Sequence, residues 1–152
     1  MKMRLFALSA LFALLTSALP ALADEAPIGY VKTLTGSATI TTGSNKVTAQ
    51  LGTPLFQGSQ LKTGPKSSLG VTFKDDTVMS FGADTELTVD EYLYAPSQGK
   101  LKLGSSLAKG SMNYVSGVIA KLQPDAVSVK TPTGTIGVRG TQFVVKVDDT
   151  AP

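Results

Sequence analysis

Apolar and polar residues alternate along this chain with a period of two, in short runs cut by glycine. In the clearest run Leu69, Val71 and Phe73 alternate with Gly70, Thr72 and Lys74. That is the pattern of a strand with one face in a core. Lys74-Asp75-Asp76-Thr77 carries turn-forming residues, and Met79 and Phe81 resume the alternation beyond it. The segment predicts one hairpin whose inward residues are Leu69, Val71, Phe73, Met79 and Phe81. Upstream, Tyr30 to Leu34 and Ser37 to Thr42 lie on either side of Gly36, and Thr42-Gly43-Ser44-Asn45 turns the chain into Lys46 to Gln50. This predicts a second hairpin. Pro54 has no N–H to give a ladder, which places it at an edge or a strand start. Gln60 to Thr63 makes a brief strand before the Gly64-Pro65-Lys66-Ser67-Ser68 loop. Leu87 and Val89 alternate after Gly82-Ala83-Asp84, the period fails at Asp90 to Tyr94, and Ala95 to Gly99 reads as a loop. Leu101, Leu103 and Leu107 follow, and then Met112 and Tyr114 share a parity.

The C-terminal third changes parity twice. Val127 and Val129 are odd, Ile136 and Val138 even, and Phe143, Val145 and Val147 odd again. Successive strand residues face opposite sides, so a bulge or corner is required between Val138 and Phe143. Gly140 is the natural place for it. Gly134, Gly137 and Gly140 recur every third residue, a spacing that suits neither a helix nor an uninterrupted strand. Ser116 to Asp125 is read as a loop or irregular strand: Val118, Ile119 and Leu122 would line one helical turn, but the segment is short and Pro124 closes it. The fold class expected is all-β, with short strands in a sandwich-like or β-solenoid arrangement and no helix.

The first 23 residues do not belong to this pattern. Lys2 and Arg4 precede the apolar run Leu5 to Leu19, and Ala21-Leu22-Ala23 supplies a small-x-small cleavage site. This is the layout of a secretory signal peptide, with Asp24 as the new N-terminus. The run is shorter than the roughly 20 residues of a membrane-spanning helix and ends at Pro20. The expected organisation is a signal peptide over 1–23 and a single domain over 24–152, periplasmic or secreted, with no transmembrane span. Cleavage removes Lys2 and Arg4, taking the 14 basic residues to 12 against 11 acidic ones. A net charge of +1 without a basic stripe leaves no nucleic-acid footprint.

Composition also limits the chemistry. The chain has no histidine and no cysteine, so serine-histidine relays, thiol nucleophiles and the usual zinc ligand sets are missing. Asp75, Asp76, Asp84, Glu86, Asp90 and Glu91 offer carboxylates for glycoside hydrolysis, but Asp75-Asp76 sits where aspartate is favoured for turn hydrogen bonds. Asp84, Glu86 and Asp90 alternate without matching any calcium-loop template. No cofactor and no metal are expected. Arg139 is the one arginine beyond the leader, beside Gly137, Gly140 and Thr141. It is placed either to grip a partner's carboxylate through its planar fork or, as the preferred reading, to tie up carbonyls left unpaired at the corner. Tyr92, Tyr94 and Tyr114 are candidates for an aromatic binding surface, the alternative being that they roof the edge of the core.

Several of these features together resemble the FecR domain, named for the regulator of iron-dicitrate transport. They are Gly36 with its flanking strands, Leu51-Gly52 through Leu61-Lys62-Thr63-Gly64, Ser68 to Thr77, Leu87, Tyr92, and Leu101 to Gly110. Above all they are Thr131-Pro132 followed by Ile136-Gly137-Val138-Arg139-Gly140-Thr141-Gln142-Phe143. The resemblance runs from about Gly29 to Val147. It implies an all-β extracytoplasmic domain without catalytic activity, of the kind found in envelope sensors that relay receptor occupancy and in secreted proteins. The chain departs from signalling members in showing no cytoplasmic segment, no transmembrane helix and little sequence after Val147. The expectation is therefore a non-enzymatic exported module that binds a protein partner in the envelope. The alternative is a carbohydrate-binding or structural matrix protein.

Overall fold

The alternation at Leu69 to Phe81 folds as predicted, with all five inward residues no more than 3% exposed. A computed structural model describes residues 25–148; the expected signal peptide lies outside the described residues. In chain order the strands are β1 (Gly29–Thr35), β2 (Ala38–Thr42), β3 (Asn45–Thr48), β4 (Pro54–Leu55), β5 (Gln60–Thr63), β6 (Ser68–Phe73), β7 (Val78–Phe81), β8 (Glu86–Ala95) and β9 (Lys100–Val115). After a short helix α1 (Val118–Leu122) come β10 (Val127–Thr131), β11 (Gly134–Gly137) and β12 (Gln142–Val147). The all-β expectation holds. The strands form one curled 12-stranded sheet in the order β3-β2-β5-β8-β9-β7-β6-β1-β4, with β10 and β12 joined to β9 and β11 joined to β10. Among the described residues every pairing is antiparallel except β9 with β10, so these strands do not stack as the coils of a solenoid.

β9 holds the two halves together. Its first ten residues pair with β8, and Leu103 to Ser106 also pair with β10. Its last six pair with β12, and Met112 to Val115 also pair with β7. Leu103 and Leu107 face the core on odd positions, whereas Met112 and Tyr114 do so on even ones. The switch falls between Leu107 and Met112, where β9 slips its register against β8 at Ala108 and Gly110 takes a φ of +91° that few other residues adopt. A single hydrophobic cluster draws on both halves, and Phe73 of β6 stacks on Tyr92 of β8 with ring centroids 5.5 Å apart.

The failed alternation at Asp90 is a register shift between Val89 and Glu91, opposite Ser105 and Gly104. β8 continues through it to Ala95, which replaces the expected break. The shift also changes parity, so that Tyr92 turns into the core. Tyr92 is 6% exposed and Tyr114 is not exposed at all. This corrects the expected aromatic surface: both rings are core residues, and Tyr94 is half-buried against the same cluster. Tyrosine brought both apolar area and a hydroxyl, and burial claimed the area.

Asp75 departs furthest from expectation. It lies in the β6–β7 turn as predicted, but its side chain is fully buried. One carboxylate oxygen accepts from Tyr92 Oη at 3.0 Å, and the other from Thr77 Oγ1 at 2.7 Å and the Ile119 N–H at 3.1 Å. The Asp75 N–H donates to Tyr92 Oη at 3.0 Å, and the Asp75 carbonyl accepts from the Val118 N–H at 2.7 Å. These last bonds create α1, where a loop or irregular strand was expected. Five residues cannot sustain a helix alone, but two of its free N–H groups find acceptors on Asp75. Gly117 permits the approach, because a Cβ there would overlap Thr77 N and Asp75 O.

Two predictions follow from this packing. Asp75→Ala leaves the Tyr92 and Thr77 hydroxyls and the Ile119 N–H without their acceptor. The expected loss is about 3 kcal/mol or more, read from urea unfolding; a loss below about 1 kcal/mol would refute the role given to Asp75. The second concerns alkaline pH. Burial, followed by the Asp75 carboxylate, raises the Tyr92 pKa above its ordinary value. Burial also raises that of Tyr114, against the nearby Thr77 and Ser116 hydroxyls, which lower it; among the described residues no group meets its hydroxyl at full hydrogen-bond geometry. Phenols raised in the fold stabilise it fully below their unfolded pKa of about 10, and that contribution is lost as pH climbs above it. The melting temperature should therefore fall above pH ~10, and less steeply in Tyr114→Phe. At neutral pH Tyr92→Phe should destabilise, whereas Tyr114→Phe, which removes an unpaired hydroxyl, should stabilise by on the order of 1 kcal/mol.

Candidate partner-binding cleft

The β10–β11 hairpin turns at Pro132-Thr133, where Thr131 Oγ1 donates to the Gly134 carbonyl at 2.9 Å. The odd–even switch seen in the sequence is met by antiparallel pairing of Val129 with Ile136. Val138 then buries itself at 3% exposure and anchors the corner. Gly140, with φ +102°, makes the bend where the sequence placed it. The corner leads into β12, which pairs from Gln142↔Val115 to Val147↔Gly110. Phe143 stacks on Tyr114 with centroids 4.8 Å apart.

The residues named from sequence at this corner divide. The Gly140 and Thr141 carbonyls are held by Ser116, through Oγ at 2.9 Å and N–H at 2.8 Å respectively. Ser116 thus does the work that the structural reading gave to Arg139. Arg139 itself is exposed, and the ion pairs among the described residues do not involve it. Gly137 is exposed, with open space where a Cβ would be. Gly137, Arg139, Gly140 and Thr141 therefore meet at one surface corner, and the guanidinium is free to turn outward. Tyr92, Tyr94 and Tyr114 form no patch beside it.

Next to this corner the curled sheet stays open. A cleft of ≈ 720 Å³ runs between the β10–β11 hairpin and β12. Val127, Ile136, Val138, Phe143 and Val145 supply its apolar wall, with Arg139, Lys146 and Asp125 at its rim. Among the described residues β11 pairs only with β10, and β12 only with β9. Each therefore presents one row of unpaired backbone groups. Val144 on β12 is 71% exposed. Lys146 reaches Asp148 at 3.4 Å, but both side chains lie mostly in solvent, so the pair is weak. Sequence reasoning did not single out Val144 or Lys146. The signal was present: Phe143-Val144-Val145 breaks alternation, which leaves one apolar side chain on the solvent face.

A second opening of ≈ 550 Å³ lies between β2–β3 and β4 and is lined by Val47, Pro54 and Phe56. It is a poorer site for a partner strand, because β4 has two residues and begins with a proline. The carboxylates considered for catalysis or calcium are dispersed. Glu86 pairs with Lys62 at 2.7 Å, Asp90 accepts from Ser106 Oγ, and Asp75 is in the core. Among the described residues no three His, Cys, Asp or Glu side chains gather to hold a metal. No helix among them is long and apolar enough to cross a membrane.

The cleft lies within the segment that comparison with known families picks out. The model described as FecR protein matches residues 59–152, more than half of the chain, including β5 to β12. No curated protein and no solved structure matches the chain. The span of that match, with the corner and the strands that carry it, shows that the chain belongs to the FecR protein family.

Proposed function

We propose that this chain is a non-enzymatic recognition module of the cell envelope, exported into the periplasm or beyond, that binds a protein partner in a sensing or signalling system. Membership of the FecR family supports the envelope and signalling setting. The observation that carries the rest is the pair of one-sided edge strands, β11 and β12, bordering an apolar cleft with Arg139 at its rim. Contact through a sheet edge uses backbone groups for affinity and side chains for selection. It requires neither nucleophile nor cofactor, in keeping with a chain that has no histidine and no cysteine. The carbohydrate alternative leaned on a tyrosine surface and on Ser/Thr-rich strand faces, and with Tyr92 and Tyr114 buried it loses the first of these.

Two measurements test the proposal. The intact mass of the exported chain should correspond to a first residue at Asp24. A photo-crosslinking residue introduced at Val144 should give a discrete protein adduct in intact cells, and one at Lys46 on β3 should not. Adducts of equal strength at both positions, or none at Val144, would count against the cleft as the contact surface.

A further inference from the structure

We infer that the cleft takes an extended segment of its partner, apolar on one side and acidic on the other, paired in register along the free edge of β12. The inference rests on the partner-binding reading and specifies the chemistry of that partner. Among the described strands that pair on one side only, β12 is the longest, with six residues against four in β3 and β11 and two in β4. A strand laid beside it has two different sides. One faces Phe143, Val147 and Ile136, which are packed against the core but only partly covered by it. The other lies next to Val144 and Lys146 on the solvent face, which line the same cleft as Arg139.

Charge selects the sign of the occupant. The cleft lining holds two cations, Arg139 and Lys146, and one carboxylate, Asp125, and Asp148 beside Lys146 adds a second, which leaves Arg139 as the cation that selects the occupant. Arg139 has no ion-pair partner among the described residues, and Lys146 holds only the exposed Asp148. A carboxylate beside Arg139 gains charge-assisted hydrogen bonds that a lysine would forfeit. The same cations argue against a second copy of this chain as occupant. A lysine on a free edge discourages edge-to-edge pairing, and two like edges would bring the cations together.

The test is a titration of the ¹⁵N-labelled mature chain with an eight-residue synthetic peptide alternating valine and glutamate, followed by amide chemical shifts. Binding should move the amides of Gln142 to Val147 and of Arg139. It should weaken about tenfold or more when lysine replaces glutamate in the peptide or in the Arg139→Gln variant, whose exposed position spares the fold. N-methylation of alternate peptide amides facing β12 should abolish it. Equal binding of the lysine peptide, tolerance of N-methylation, or no shift at low-millimolar peptide would overturn the inference. So would a dimer in ultracentrifugation that Val144→Glu dissociates. A partner crosslinked at Val144 in cells but not displaced by the acidic peptide would overturn this inference alone, whereas absence of any adduct there removes the reading beneath it.

Discussion

One strand has to belong to both halves of this sheet. β9 runs for sixteen residues, about three times the usual strand length, and its two edges are shared among β7, β8, β10 and β12. Backbone pairing is obligatory in a buried sheet, so β9 can serve four neighbours only by being long and by bending between them. The bend between Leu107 and Met112 turns Leu103 and Leu107 on one side of it, and Met112 and Tyr114 on the other, toward the same cluster. The sheet can therefore curl around one core without a second covering layer.

A long shared strand creates a routing problem that Asp75 resolves. β10 runs parallel to β9, so the chain must travel back from Val115 to a start beside Leu103. α1 carries it, and α1 has no side-chain cap and too few residues to form unaided. Its first N–H groups are held by a buried aspartate that Tyr92 and Thr77 keep fully bonded. In an interior of low dielectric a half-satisfied carboxylate would cost more than it returns. With α1 fixed, the β10–β11 hairpin, the Val138 anchor and the corner follow in sequence. The position of the cleft thus depends on a side chain in a turn on another part of the sheet.

Much of this was legible in the sequence, through parity. The Leu69 to Phe81 hairpin, the turn at Gly43 and the corner at Gly140 were all marked by where alternation held or broke. Asp75 was marked too, since it shares odd parity with Leu69, Val71, Phe73, Thr77 and Met79. The preference of aspartate for exposed turns hid that signal. Tyr92 was concealed for a different reason: the bulge at Asp90 shifts parity by one, and a bulge depends on the partner strand. α1 could not be read because its stability comes from acceptors more than forty positions away in the chain. The choice between sandwich and solenoid depends on which strands pair, and local periodicity carries no record of that.

The free edges of the sheet are protected unequally. β4 is cut to two residues behind a proline, β3 is a short exposed ribbon, and β11 begins and ends with glycine, which weakens a strand. Shortness and proline are recognised ways to discourage a foreign strand, and glycine leaves β11 a weak template. β12 has none of them: it is six residues long, nearly continuous in apolar side chains, and carries a valine facing solvent. An edge of that composition invites aggregation unless something limits who may pair with it. Lys146, with Arg139 close by at the corner, supplies such a limit in the form of charge. Charge repels a like edge and attracts an unlike one, so the same side chains bear both on pairing between copies of this chain and on the choice of a foreign strand.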